Sequence, residues 1–137
     1  MRKYLLISHG KMAQGVSESL KMFLGENHAF KYICAYVEHC DPQKEIQKFF
    51  SKVEEQDEVV VCTDLLGGSV NQFMIPYLKR ENTYIIAGFN LPLLMELSFL
   101  PEPMQKKELR LVIEKAQNAI VLVNDYDFEH KRNEGDE

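Results

Sequence analysis

Two short stretches of this 137-residue chain carry side chains able to do chemistry: Ser8-His9-Gly10 near the start and Asp64-Leu65-Leu66-Gly67-Gly68-Ser69 in the middle. A neutral imidazole such as His9 can take a phosphoryl group on one ring nitrogen, provided the other keeps its proton and is held in place. Asp64 suits the holding role, because a carboxylate accepting that N–H fixes the tautomer and balances the charge that develops on the ring. The phosphoryl oxygens then need donors already in position. Gly67 and Gly68, ahead of a helix start, can aim backbone N–H groups at them, and Ser69 adds a hydroxyl. Arg2, Arg80, Arg110 and Arg132 fall elsewhere in the chain, and no carboxylate cluster for magnesium adjoins either stretch. The arrangement therefore reads as one that receives a phosphoryl group and passes it on, rather than hydrolysing it. Each part also has a plainer reading: a histidine can satisfy a turn, an aspartate after a strand can cap a helix, and tight turns want glycine anyway. Their coincidence at two strand ends is what favours chemistry.

The elements that must position these residues follow from the apolar pattern. Tyr4 to Ile7 reads as a strand buried on both faces, and Met12, Val16, Leu20 and Leu24 mark a helix over about 11–24 that Gly25 ends. Phe30 to Val37 is a second strand. Asp41 is placed as an N-cap with Pro42 at the first helical position, and Ile46, Phe49, Phe50 and Val53 face the core. Val59 to Cys62 is a third, fully buried strand. A helix should start near Ser69 with Val70, Phe73, Met74, Tyr77 and Leu78 inward, broken early by Pro76. Tyr84 to Gly88 makes a fourth strand, followed by a short helix to about Leu100. After Pro101-Glu102-Pro103 come a helix over 105–117 and a fifth strand from Ala119 to Val123. Residues 1–125 form one domain, and 126–137 are a polar tail expected to be disordered.

Strands alternating with helices imply an α/β fold: a doubly wound, mainly parallel sheet with right-handed crossovers and strand order 2-1-3-4. Strands one and three are then neighbours whose helices leave toward opposite faces, opening the crevice where such sheets bind ligands. That topology brings His9 and Asp64 together, with the Gly67-Gly68-Ser69 turn and Asn90 bordering the same crevice.

Composition narrows the function classes. A net charge of −5 argues against nucleic acid, which wants a basic stripe. No apolar run approaches a membrane span. Cys34, Cys40 and Cys62 lack metal-type spacing, Cys34 and Cys62 sit in apolar strands, and a reducing cytoplasm is the natural location. No metal or cofactor is implied. His28 and His39 read as surface residues, and His130 falls in the tail.

Leu5-Leu6-Ile7-Ser8-His9-Gly10, Val59 to Ser69 and Ile85 to Glu96 together resemble the IIA component of the mannose-type sugar phosphotransferase system (PTS). Their order and strand-end placement match over roughly residues 3–124, and Gly88-Phe89-Asn90-Leu91-Pro92 is specific, because a doubly wound pattern alone does not demand it. The resemblance implies a phosphotransferase working through phosphohistidine. His9 would accept phosphate from the phosphocarrier protein HPr and give it to a separate IIB component, with the membrane permease (IIC/IID) involved only indirectly. Asp64 would be its hydrogen-bond partner, with Gly67, Gly68 and Ser69 near the phosphoryl group. It also implies a homodimer in which the last strand is exchanged onto the partner's sheet edge. Val70 departs from the family, which usually has proline there, and the tail beyond Asp125 has no counterpart.

Three other readings differ in class. The related subunit that feeds dihydroxyacetone kinase shares the strand-end histidine, but the Gly-Gly-Ser turn and the Gly-Phe-Asn-Leu-Pro segment favour sugar transport. Histidine phosphatases need an arginine just before the histidine, and here that position is Ser8. A non-catalytic binding module would use His9 only to shape a pocket.

Overall fold

The structure is a computed structural model and describes residues 1–26 and 30–129. Four parallel strands, β1 (Arg2–His9), β2 (Lys31–Ala35), β3 (Glu58–Thr63) and β4 (Thr83–Ala87), form one sheet in the order β2-β1-β3-β4. The helices are α1 (Met12–Leu24), α2 (Pro42–Ser51), α3 (Ser69–Met74), α4 (Leu91–Leu97) and α5 (Lys106–Asn118). The expected α/β fold and strand order are those observed.

Strand side chains alternate between faces and so build two cores. Leu6, Val60, Cys62 and Ile86 meet α1, α4 and α5 through Ala13, Leu20, Leu94, Leu97 and Val112. Leu5, Ile7, Val59 and Val61 meet α2 and α3 through Ile46, Val70 and Met74. All six residues of β3 are buried, as its continuous apolar run predicts for a strand covered on both faces. Each fully buried Leu, Ile or Val contributes about 1.5–3 kcal/mol relative to exposure, so these two layers hold the strand ends in place.

Local rules act where expected. Asp41 caps α2, its carboxylate accepting from the Gln43 and Lys44 backbone N–H groups with Pro42 in the first turn. Gly25 ends α1 at φ 86°. Pro76 ends α3 at Met74 and leaves a 3-10 turn over Ile75–Tyr77. That turn rotates Leu78 outward, against the expectation for it. Along α1 the buried stripe is Ala13, Ser17 and Leu20, while Met12 is exposed. The small residues let the helix lie close to the sheet, and the Ser17 hydroxyl donates to the Phe30 carbonyl at 3.2 Å. The second strand stops at Ala35, short of Val37, because Tyr36 turns into positive φ. Val53 lies beyond the end of α2.

The stretch expected as a fifth strand, Ala119 to Val123, is not a strand within this chain. Ile120, Val121, Leu122 and Val123 are exposed, and the segment enters a 3-10 turn at Val123–Asp125. A strand exists only as a paired segment, and among the described residues this one pairs with neither edge of the sheet. Beyond it the exposed Tyr126 and Phe128 pack ring against ring at 4.6 Å. The rest of the tail, with His130 and Arg132, lies outside the described residues, as does His28. Among the described residues no helix is long and apolar enough to cross a membrane.

Candidate active site

The site lies past the carboxyl ends of β1 and β3. The parallel register pairs Ile7 with Thr63, so the next residue of β3's exit, Asp64, comes alongside the end of β1. One carboxylate oxygen of Asp64, Oδ2, accepts from the His9 backbone N–H at 2.8 Å and is 2.9 Å from His9 Nδ1, across 55 positions of sequence. The other, Oδ1, accepts from the Leu65 N–H at 3.0 Å. Burial of Asp64 favours its neutral form, but the His9 backbone and ring contacts oppose it and hold the carboxyl below its ordinary value. An ionised Asp64 can only accept, so Nδ1 carries the proton and Nε2 of the neutral ring carries the lone pair. The His9 side chain is 41% exposed and that of Asp64 8%. The imidazole is therefore reachable from solvent while its brace is protected.

The neighbouring backbone is shaped to leave this space open. Gly10 turns at φ 64° and donates its N–H to Ala35 O at 3.1 Å, tying the His9 turn to β2. Ser8, fully buried, accepts from the Ala13 N–H at 2.7 Å and so anchors the start of α1 just behind the histidine. Gly67 adopts φ 81°, and a Cβ on Gly68 would stand 2.8 Å from Leu65 Cδ1 and 3.4 Å from His9 Cε1. The glycines thus serve both the turn and the approach of the backbone to the imidazole. Ser69 Oγ lies 3.2 Å from His9 Nε2.

All five expected site residues, His9, Asp64, Gly67, Gly68 and Ser69, come together. Asn90 does structural work instead: its side chain accepts from the Leu93 N–H at 3.0 Å and donates to Ala116 O at 2.9 Å, capping α4 and pinning α5. Arg2 and Arg80 serve the opposite end of the sheet. Arg2 pairs with Glu58 at 2.9 Å and donates to Leu100 O and Pro101 O, while Arg80 donates to Glu54 O and Thr83. Burial pushes the Cys62 thiol up to about 12, which leaves it an inert core residue.

Sequence reasoning missed Tyr36. Its hydroxyl is 2.9 Å from Ser69 Oγ, and its ring centroid is 5.7 Å from that of His9. The strand order offered a signal, since the residue after β2 adjoins the end of β1. Its turn into the crevice, however, depends on a backbone conformation that tyrosine rarely adopts.

Comparisons with known proteins bear on the family and the fold. The family model described as PTS system fructose IIA component, of the mannose class, matches residues 3–117. Among solved structures, a candidate phosphoenolpyruvate-dependent sugar PTS permease from Klebsiella pneumoniae is 31% identical, with a TM-score of 0.83 over 90% of this chain and 92% of that one. The PTS IIA protein associated with the fucose utilization operon of Streptococcus pneumoniae is 28% identical, with a TM-score of 0.76 over 90% and 93%. The mannose/sorbose-specific IIA subunit from Enterococcus faecalis, at 21% identity, shares the fold with a TM-score of 0.79 over 93% and 98%. No curated protein matches the chain.

Proposed function

The chain belongs to the mannose/fructose-type IIA family of the sugar phosphotransferase system, and on that premise we propose that His9 is its phosphate carrier. The observation that carries the proposal is one imidazole, 41% exposed at the strand ends, with its Nδ1 braced by Asp64 at 2.9 Å and its Nε2 beside the Ser69 hydroxyl at 3.2 Å. In this reading Nε2 attacks the phosphorus of phosphorylated HPr. The new P–Nε2 bond forms as the P–N bond to the donor histidine breaks, and the Nδ1 proton stays on the ring. The positive charge this leaves on the ring is balanced by the Asp64 carboxylate. Transfer to a separate IIB component runs the same exchange with the roles reversed.

Gly67, Gly68 and Ser69 supply donors for the phosphoryl oxygens, so charge moving onto them meets groups already in position. Leu65 and Leu66, which follow Asp64 in the chain, and Met12, three residues after His9, are exposed and provide apolar contact for two successive protein partners. Docking is transient and small, roughly below 1,200 Å² in total, because a carrier must release each partner to turn over. The protein works in the cytoplasm as a homodimer, residues 119–123 pairing with the partner's sheet edge. It meets the membrane permease only through IIB.

The test is to incubate the protein with phosphorylated HPr and locate the modified residue by mass spectrometry under conditions that spare acid-labile phosphoimidazole. Phosphate on His9, passed to a sugar-specific IIB and absent in His9→Gln, is the expected result. Transfer to dihydroxyacetone kinase in place of IIB would assign the protein to that related branch. Steady release of free phosphate would instead make it a phosphatase. A His9→Gln variant that still took up phosphate would overturn the proposal.

A further inference from the structure

Tyr36 stands at φ 65°, a left-handed conformation that is uncommon for any side chain and an outlier for a bulky one. Strain of this kind persists where the surrounding structure over-determines it, and it clusters at functional sites. Tyr36 is 56% exposed, so core packing does not explain the conformation. What the turn does achieve is to bring the phenol over the crevice, its hydroxyl 2.9 Å from Ser69 Oγ and its ring beside His9.

The direction of the resulting hydrogen-bond chain follows from its far end. Ionised Asp64 accepts from Nδ1–H, so Nε2 of the neutral ring can only accept. Ser69, 3.2 Å from Nε2, must then donate its hydroxyl proton to that nitrogen. With its proton so committed, Ser69 Oγ accepts from Tyr36, whose hydroxyl is the donor. The chain thus runs from Tyr36 to Ser69 to Nε2, and each link polarises the next. Once phosphate occupies Nε2 the lone pair is gone. Ser69 can then turn its proton to a phosphoryl oxygen without changing its relation to Tyr36.

We propose that Tyr36 is a positioning residue for phosphoryl transfer at His9, acting through Ser69. This rests on the phosphocarrier reading above. Tyr36 exchanges no proton or bond with the substrate. It holds Ser69 Oγ in place and leaves the serine proton free, first for the ring nitrogen and then for the phosphoryl group, while its ring shields one side of the imidazole from water.

The experiment compares Tyr36→Phe, Ser69→Ala and the double variant in two measurements. One is the rate of phosphate transfer from phosphorylated HPr, and the other is the nitrogen-15 resonance of His9 Nε2 in the unphosphorylated protein. Tyr36→Phe keeps the ring and should slow transfer about 3- to 10-fold, as loss of one neutral hydrogen bond would. The double variant should be no slower than Ser69→Ala, because the two residues act as one unit. Tyr36→Phe should also move the Nε2 resonance toward that of Ser69→Ala, a change that a purely structural role would not produce. Normal uptake on His9 with Tyr36→Phe unimpaired, or effects of the two single variants that multiply, would overturn the role of Tyr36 and leave the carrier reading standing. A wild-type protein that took no phosphate on His9 would overturn both.

Discussion

Asp64 accepts three hydrogen bonds, two from His9 and one from Leu65, and that concentration of donors is why its carboxyl sits below the ordinary value despite partial burial. An asparagine at this position would keep the shape but could not balance a charged ring. Asp64→Asn is therefore expected to slow phosphoryl transfer on the order of 10²–10³-fold, or about 2.7–4 kcal/mol of barrier, measured by rapid quench with phosphorylated HPr. The same residue sets a pH dependence of folding. Its folded pKa is depressed, so its contribution is complete above the unfolded value of about 4 and disappears as pH falls through the lower folded value. Denaturant titrations should find the stability gap between wild type and Asp64→Asn constant near neutrality and closing below about pH 4. A gap that stayed constant into strong acid would mean that Asp64 is not ionised in the folded protein.

At the scale of elements, the crevice is framed by strand ends and by the loop between β2 and α2. That loop passes through positive φ at Tyr36, Glu38 and His39 before Asp41 closes it by capping α2. The cap is separate from the chemistry, since its carboxylate is spent on the Gln43 and Lys44 backbone. Asp41→Ala should cost about 1 kcal/mol of folding stability in urea while leaving phosphate uptake by His9 near the wild-type rate. A large loss of uptake at unchanged stability would show that the cap also governs the Tyr36 turn. The glycines of the other loop act differently. At Gly68 an added Cβ would displace the end of the Leu65 side chain and come into contact with the imidazole, 3.4 Å from His9 Cε1.

For the whole molecule, the distribution of exposed apolar residues is informative. Leu65, Leu66 and Met12 are exposed in segments next in sequence to Asp64 and His9, whereas the exposed Ile120, Val121, Leu122 and Val123 form a separate run beyond α5. Among the described residues the sheet also keeps an edge at β4, which pairs only with β3. An edge strand invites main-chain pairing, and a β-branched segment from a second copy can supply it. Sedimentation should therefore find the wild-type protein dimeric and Leu122→Asp shifted to monomer at micromolar concentration, with the α/β circular dichroism retained. A wild-type monomer would leave the 120–123 run without this role.

The one-dimensional pattern determined the parts of this protein that depend on neighbours in sequence. Continuous apolar runs marked buried parallel strands, Asp41-Pro42 marked a helix start, Pro76 a break and Gly25 an end, because capping and backbone restriction act within a few residues. The pairing of His9 with Asp64 was also legible, because right-handed crossovers leave few strand orders open and the chosen order puts those two ends side by side. Only the tertiary structure decided the rest. Met12 points outward because Ala13 and Ser17 let α1 sit close on the sheet, a matter of packing distance that helical spacing does not carry. Residues 119–123 have every local mark of a strand, yet a strand is a relation between two chains of hydrogen bonds and its partner edge is not set by its own residues. Tyr36 reached the site only because the loop folds through a conformation its side chain disfavours, an outcome fixed by contacts with Ser69 and His9 far away in sequence.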